Sequence, residues 1–216
     1  MAKANPISEK DIISRYMEYV LENEDVPKSI YKFCKTQKIK EEEFYKYFGS
    51  FESLRDGIWN RFHIETTDLI EKTKDYENYS NREKLLTYFF TFFELLTLNR
   101  SYVLYTLSAQ KNMLRNAQQL KGLRKHMRDF AKGLIQEGNE QKQIKILKQP
   151  EGLFSEATWL QFLFLLKFWM EDNSAGFEKT DAAIEKSVNT AFDVFDNTPL
   201  DSIIDLGKFL WKEQMA

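Results

Sequence analysis

The sequence predicts an all-α protein, and two observations support this. Aromatic residues make up 15% of the 216 residues, whereas the chain has only 8 glycines and 4 prolines, which disfavours both disorder and a turn-rich β fold. Apolar residues also recur at helical spacing. We expect about nine or ten helices, arranged as a three-helix head over residues 1–63 and a larger helical-bundle body over residues 64–216.

Four helices are predicted at the start of the chain. The first begins near Ser8, where Asp11 follows three residues later in a capping-box-like pattern. It is interrupted at Asp25-Val26-Pro27. The other three are expected at about 27–37, 41–48 and 50–69. The second and third, packed through a tight turn, have the outline of a helix-turn-helix.

Six further helices are predicted in the body. Their expected bounds are 81–98, 101–113, 120–137, 155–172, 177–195 and 199–212. Ser80 and Thr198 offer hydroxyls that cap helix starts, and Pro199 suits a first helical position. The polar stretch 138–152 is the predicted loop.

Two apolar stretches, residues 85–98 and 153–170, are expected to be buried helices. The first is short and carries Glu94, and the second carries Glu156 and Lys167, so neither has the pattern of a membrane span. The single cysteine, Cys34, has no partner for an internal disulfide, and no leader pattern precedes the first helix. A cytoplasmic location is therefore expected.

Charge is distributed unevenly along the chain. The net charge is 0 over residues 1–63, −3 over 64–99, +8 over 100–148 and −7 over 151–216. The basic segment is either a solvated helix face that balances the acidic C-terminal third, or a surface for anionic lipid or nucleic-acid phosphates. Its basic residues include Lys111, Arg115, Lys121, Arg124, Lys125, Arg128 and Lys132.

Residues 29–54 carry the most detailed resemblance to a known family. In TetR-family regulators the second helix has an Ile-Ala pair, and a turn of Ala-Gly-Val-Ser follows. The recognition helix then ends in Tyr-x-His-Phe, before a turn with Lys-Glu-x-Leu. The corresponding positions here are Phe33-Cys34, Ile39, Phe44-Tyr45-Lys46-Tyr47-Phe48, Glu52 and Leu54. The chain resembles the TetR family over residues 8–62, which implies a DNA-binding head.

Several surface positions depart from the family pattern. Lys38 replaces the turn glycine, which places a non-glycine residue where a left-handed backbone is usual. The run Glu41-Glu42-Glu43 opens the recognition helix, Tyr47 replaces histidine, and Phe51 replaces lysine. Carboxylates complement the positive end of a helix dipole, yet this end of a recognition helix faces bases and phosphates.

The resemblance also implies a set of DNA-binding residues. Phosphate contacts are expected from Lys32, Lys35, Lys40, Tyr45 and Lys46, with Glu43 and Tyr47 nearest the bases. Because the head has no net positive charge, it lacks the basic excess that usually supplies affinity for nucleic acid.

Residues 168–188 resemble the body domain of a TetR-like branch common in Bacteroidetes. Through Asp172, Ser174, Phe177, Thr180 and Ala183 they are also similar to the ubiquinone-biosynthesis accessory proteins, which keep a TetR-like fold but bind lipid. TetR-like proteins usually pair their last two long helices across a two-fold axis, so an isologous homodimer is expected. The expected interface residues are Leu160, Leu163, Lys167, Ile184, Val188 and Phe192.

An aromatic set in the body is either ordinary core or the lining of a ligand cavity, as in ligand-sensing relatives. Its members are Phe89, Phe92, Phe93, Leu96, Tyr105, Met113, Trp159, Phe162 and Trp169. Few charges interrupt these faces, so a cavity would favour a small apolar or amphipathic molecule.

Neither catalysis nor a cofactor is predicted. His63 and His126 lie far apart in sequence without metal-ligand spacing, and the chain has no glycine-rich phosphate loop. The resemblance implies that Cys34 occupies a packed position. Two functions stay open. The first is a homodimeric, ligand-controlled DNA-binding regulator, and the alternative is a TetR-fold lipid-binding or carrier protein that has lost DNA binding and contacts anionic membranes.

Overall fold

The computed structural model describes residues 7–109, 118–140 and 150–197. Within these ranges the chain forms nine α-helices and two short 3₁₀ helices, with no strand, which confirms the all-α prediction. The helices are α1 (Glu9–Asn23), α2 (Ile30–Thr36), α3 (Glu41–Tyr45), α4 (Phe51–Ile70), α5 (Asn81–Leu98), α6 (Arg100–Ala109), α7 (Lys121–Glu140), α8 (Glu151–Glu171) and α9 (Glu178–Asn197). The 3₁₀ helices are Tyr76–Asn78 and Ala175–Phe177.

Local capping signals place several helix starts where they were predicted. Ser8 caps α1 through a capping box, in which the Asp11 amide donates to Ser8 Oγ at 3.2 Å and the Ser8 amide donates to Asp11 Oδ2 at 2.9 Å. Ser50 caps α4 in the same way with Ser53. Helix α5 has its predicted bounds.

Two predicted helix starts are wrong. Helix α2 begins at Ile30 because the Ser29 hydroxyl accepts the Lys32 amide at 3.3 Å and acts as the cap. Helix α8 begins at Glu151, not at Ser155, whose hydroxyl donates to the Gly152 carbonyl inside the helix. Pro150 precedes the helix, and the acidic Glu151 suits its first turn. The segment 110–113 and the predicted helix 199–212 lie outside the described residues.

Contacts divide the chain into two compact units. The first contains the described parts of residues 1–73 and 91–127, and the second those of residues 74–90 and 128–216. The predicted boundary between residues 63 and 64 falls inside α4 and stays a prediction.

The first unit is built around the Phe33 ring. The rings of Tyr16, Tyr19, Phe44 and Phe51 surround it with centroid distances of 5.8–6.2 Å, mostly edge to face. Such aromatic pairs contribute about 0.5–1.5 kcal/mol each beyond their area burial. This aromatic core fixes α1, α2, α3 and the start of α4 relative to one another.

In the second unit, side chains of the first half of α5 contact α7 and α9. Arg82 donates to Asp193 of α9 at 2.6 Å and lies over the Phe192 ring at 5.6 Å. The buried Lys84 pairs with Glu137 of α7 at 3.0 Å. The Tyr88 ring stacks on Phe130 with centroids 4.5 Å apart.

A carboxylate joins the end of α8 to the start of α9. Asp172 Oδ1 accepts the amide and hydroxyl of Ser174 at 2.9 and 2.7 Å. Its Oδ2 accepts the amide and hydroxyl of Thr180 at 2.9 and 2.7 Å. Both Asp172 and Thr180 are buried. Burial alone would raise the pKa of Asp172, but these four hydrogen bonds outweigh it and hold that pKa well below its usual range.

Crossing a bilayer requires a helix with about 20 consecutive, mainly apolar residues, and this can be compared with the described helices of the chain. None of them combines the length and the apolar composition needed to cross a membrane.

Candidate functional site

The turn between α2 and α3 is a Schellman motif. The Ile39 amide donates to the Cys34 carbonyl at 2.8 Å, and the Lys38 amide donates to the Lys35 carbonyl at 3.4 Å. Lys38 has φ 55°, so it occupies the left-handed position that usually holds glycine. This confirms the backbone conformation predicted for Lys38. For an L-residue, the left-handed conformation costs about 1–2 kcal/mol.

Cys34 belongs to the apolar side of this turn. It is 1% exposed, and Ile39 of the same turn is 6% exposed. Burial raises the pKa of the Cys34 thiol to about 11, and the nearby Glu41 carboxylate adds to the effect. The thiol therefore stays protonated at neutral pH, which makes Cys34 a packing residue and a poor nucleophile.

The carboxylates at the start of α3 are used within that helix. Glu43 Oε2 accepts the Lys40 amide at 3.3 Å, and Glu42 Oε1 lies 3.6 Å from Lys40 Nζ. These contacts satisfy a free backbone donor and neutralise part of the Lys40 charge. The acidic run thus stabilises a helix of only five residues.

The predicted DNA-binding residues lie on α2, on α3 and in the turns that follow them. The exposed ones are Lys32, Lys35, Lys40, Tyr45, Lys46 and Tyr47, whereas Glu43 is half-buried. Tyr31 is also exposed, and Lys35 Nζ lies 5.9 Å from the centroid of its ring. The head therefore presents a surface of lysines and tyrosines.

Two departures from the family pattern have structural roles. The Tyr47 hydroxyl donates to the Ile7 carbonyl at 3.3 Å, which ties the chain before α1 to the end of the helix-turn-helix. The Phe51 ring packs against Tyr16, Phe33 and Phe44 with centroids 5.6–5.9 Å apart. Phe51 is half-buried and packs against these three rings, so its replacement of lysine serves the packing of the head.

The sequence did not reveal a set of polar contacts between α4 and α7 in the first unit. Asp56 Oδ1 accepts the Gly122 amide at 3.1 Å, and Asn60 Nδ2 donates to Asp56 Oδ2 at 3.3 Å. A Cβ atom at Gly122 would overlap Asn60 Oδ1, so the close approach favours glycine. Farther along the same two helices, the rings of His63 on α4 and His126 on α7 stack with centroids 5.1 Å apart.

The histidine pair predicts a pH dependence of stability. Burial, together with a smaller effect of the neighbouring His126, lowers the pKa of His63 to about 4. The unfolded chain, with a histidine pKa of about 6.5, binds more protons between those two values, so stability should fall as pH drops through this window. Between pH 7.5 and 4.5 we expect the free energy of unfolding of wild type to fall by about 2 kcal/mol more than that of His63→Gln.

Urea unfolding measured from pH 7.5 to 4.5 checks this expectation. The comparison uses the slope of unfolding free energy against pH in each protein. The effect of the carboxylates is the same in both proteins, and any constant cost of the substitution does not change the slope. Parallel slopes in the two proteins would show that His63 is not buried in its neutral form.

The predicted ligand-lining residues are divided between the two units. Phe92, Phe93, Leu96 and Tyr105 belong to the first unit, and Phe89, Trp159, Phe162 and Trp169 belong to the second. All are buried except Tyr105, which is half-buried and donates from its hydroxyl to the Glu24 carbonyl at 2.5 Å. Met113 lies outside the described residues. Their role in ligand binding stays a prediction.

The predicted dimer residues separate into two groups. Leu160 and Lys167 of α8 are exposed and Leu163 is half-buried. Ile184, Val188 and Phe192 of α9 are at most 5% exposed, because they form the inward face that packs within the protomer. These three side chains contribute to the core and offer almost no surface to a second copy.

A shallow, mainly apolar groove of about 560 Å³ lies between the outer faces of α8 and α9. Its lining residues are Ala157, Gln161, Phe164, Ala183, Lys186, Ser187, Thr190, Ala191, Val194 and Phe195. Phe164 is 57% exposed and the adjacent Leu160 is 64% exposed. Exposed apolar side chains of this size beside a groove are typical of a protein interface.

Comparison with known proteins identifies the body. A family model described as tetracyclin repressor-like, C-terminal domain, matches residues 84–210, which is more than half of the chain. The chain belongs to the tetracyclin repressor-like (TetR) family. A search of curated proteins found no match.

The range matched by the TetR-family model covers most of the predicted body and leaves out the predicted head. It contains every predicted ligand-lining and dimer residue, from Phe89 to Phe192, and none of the predicted DNA-binding residues, which end at Tyr47. The body is therefore TetR-like by its sequence. The helix-turn-helix of this family member is supported by its own geometry.

The basic segment of this TetR-family chain is partly neutralised within the second unit. Arg128 pairs with Glu156 at 2.9 Å, and Lys132 lies 4.0 Å from Glu151. These pairs favour the solvated-face interpretation for the C-terminal half of α7. Lys121 and Lys125, nearer its start, are exposed.

Proposed function

We propose that this protein is a homodimeric DNA-binding transcriptional regulator, controlled by a small apolar or amphipathic ligand that binds the body. The observation that carries the proposal is the helix-turn-helix with a Schellman turn and an exposed surface of lysines and tyrosines, in a chain of the TetR family. No catalytic role is proposed.

In this proposal the phosphate contacts come mainly from α2 and from the end of the helix-turn-helix. Lys32, Lys35 and Lys46 are exposed, and no carboxylate forms an ion pair with them among the described residues. Tyr45 is 52% exposed and packs its ring edge-on against Phe44, so it is a preorganised aromatic that can face DNA. Phosphate contacts of this kind set orientation and affinity.

Glu43 and Tyr47 fit base reading less well. The Glu43 carboxylate already accepts the Lys40 amide, and the Tyr47 hydroxyl already donates to the Ile7 carbonyl. Reading a base would require either side chain to exchange that partner for the base. We therefore propose Tyr45 and Lys46 as the residues that most strongly affect binding.

The homodimer is proposed to form through the outer faces of α8 and α9. Leu160 and Phe164 of one protomer would enter the groove of the partner, and the two-fold symmetry would bury both copies of the same surface. Interfaces of this type bury aromatic and aliphatic anchors near their centre. The dimer would hold two heads together on one duplex.

The alternative function is a TetR-fold lipid-binding or carrier protein without DNA binding. The observation that favours it is the neutral head, with eleven acidic residues against eleven basic ones over residues 1–63. Binding to anionic vesicles without binding to DNA would support this alternative. The ion pairs of Arg128 and Lys132 weaken the case for a membrane-facing basic surface.

Charge-removing variants test the regulator proposal. In fluorescence anisotropy with a duplex from the region upstream of its own gene, Lys32→Gln with Lys46→Gln should weaken binding by about thirtyfold or more at 100 mM salt. It should also make the slope of log affinity against log salt less steep by about 2. Lys179→Gln, at an exposed position on α9, is the matched control and should change neither quantity. Equal affinities for all three proteins would contradict the proposed DNA surface.

A further inference from the structure

The left-handed turn residue of the helix-turn-helix is a lysine, and the structure gives it no packing role. Lys38 is exposed, while its chain neighbour Ile39 is buried. The hydrogen bonds of the turn use only the backbone of Lys38, so glycine could make them equally well. A strained backbone position whose side chain is needed neither for packing nor for the hydrogen bonds of the turn points to function.

The charges near Lys38 in sequence favour an anionic partner. Lys35 precedes it on α2 and Lys40 follows it at the start of α3. Lys40 is partly neutralised by Glu42, and Lys35 lies near the Tyr31 ring. Lys38 has no ion pair among the described residues. It is therefore the cation in this turn whose charge is least offset.

We infer that Lys38 is a DNA phosphate-contacting residue, held by a strained turn between the two helices of the helix-turn-helix. The inference rests on the proposed function and adds to it a contact that compensates for the acidic start of α3. Lys38 precedes Glu41, Glu42 and Glu43 by three to five residues in the sequence, so its positive charge would offset part of their repulsion of DNA phosphates. Such a contact would add affinity independently of sequence.

This role predicts opposite effects on stability and on DNA binding. Lys38→Gly removes both the strain and the charge, so its melting temperature should rise by about 2–4 °C while its affinity for a random-sequence 30-bp duplex falls. The expected loss is about fivefold to tenfold at 100 mM salt, and the salt slope should become less steep by about 0.9. Lys38→Gln should lose the same affinity without the gain in stability.

Two variants serve as controls. Lys38→Arg keeps the charge and should bind within about twofold of wild type, because phosphate contacts tolerate either cation. Glu24→Gly relieves another left-handed residue of the first unit, with φ 48°, and removes an acidic charge, so it should gain stability without losing affinity. This control separates the effect of relieving backbone strain from the effect of losing the lysine charge.

Anisotropy titrations over 50–200 mM salt, with thermal unfolding of the same samples, decide between the outcomes. If wild type binds the duplex and Lys38→Gln keeps both its affinity and its salt slope, the inference is wrong and the proposed function stands. If folded wild type binds no duplex even at 50 mM salt, the proposed function fails and the inference fails with it.

Discussion

Replacing Asp172 with alanine is expected to lower the free energy of unfolding by about 3 kcal/mol. The carboxylate accepts four hydrogen bonds at 2.7–2.9 Å, and its removal leaves the buried amide and hydroxyl of Thr180 without these acceptors. Hydrogen bonds to charged groups contribute about 1.5–3 kcal/mol, and unsatisfied buried donors add to the loss. Urea unfolding at pH 7 measures the difference.

The same carboxylate predicts how this difference depends on pH. Because the pKa of Asp172 is held below its unfolded value of about 3.9, its contribution is complete above that pH and is lost as pH falls further. The gap between wild type and Asp172→Ala should be constant from pH 7 to 5 and narrow below about 3.9. Asp129→Ala, at an exposed position on α7, is the control and should change stability by less than about 0.5 kcal/mol. A loss equal to that of the control would show that the hydrogen bonds of Asp172 do not stabilise the junction of α8 and α9.

Placing charges on the outer face of α8 should abolish the proposed dimer. Leu160→Glu with Phe164→Glu is expected to raise the dimer dissociation constant by at least about a hundredfold, because two carboxylates per protomer would be desolvated at the interface. Light scattering at micromolar concentration should then give the 25.7 kDa of one chain. Affinity for DNA should fall with it, because the two heads would no longer bind together.

Protomer stability distinguishes an interface effect from misfolding. Both side chains are more than half exposed, so they contribute little to the stability of the single protomer. The unfolding midpoint of the variant should therefore equal that of wild type once the stabilisation of wild type by dimerisation is subtracted. Leu69→Glu, at an apolar position of α4 that is 49% exposed, is the matched control and should remain dimeric. A wild-type protein that is monomeric at the same concentration would contradict the dimer itself.

Local signals explain which parts of the fold could be predicted. The capping box at Ser8 involves two residues three apart, so the sequence alone predicted it, and the start of α4 at Ser50 was predicted without its capping box. The left-handed turn at Lys38 followed from its alignment with a family glycine. The start of α8 was misplaced because Ser155 resembles a cap, although its hydroxyl bonds inside the helix.

Helical periodicity also left ambiguities that only packing resolves. Ile184, Val188 and Phe192 have the spacing of one helix face, but spacing does not say whether that face meets the protomer's own core or a second copy. The stacked His63 and His126 lie on different helices, and no local pattern relates them. Asp172 belonged to a recognised turn motif, yet its four hydrogen bonds depend on how α8 and α9 meet.

Much of the candidate DNA surface followed from the family resemblance. The lysines of α2 and of the following turns were predicted because the resemblance placed them on a helix-turn-helix, and they are exposed. The roles of Phe51 and Tyr47 were not, because their partners, Tyr16 and Ile7, come from the start of the chain. Two departures from the family pattern were therefore consequences of packing.

The central claim is that this head binds DNA specifically despite its acidic recognition helix. The most direct test is a fluorescence-anisotropy titration of the wild-type protein against a duplex from upstream of its own gene and a random-sequence duplex, over a salt series. We expect tighter binding to the upstream duplex, with affinity that falls steeply as salt rises. A folded dimer that binds neither duplex at 50 mM salt would contradict it.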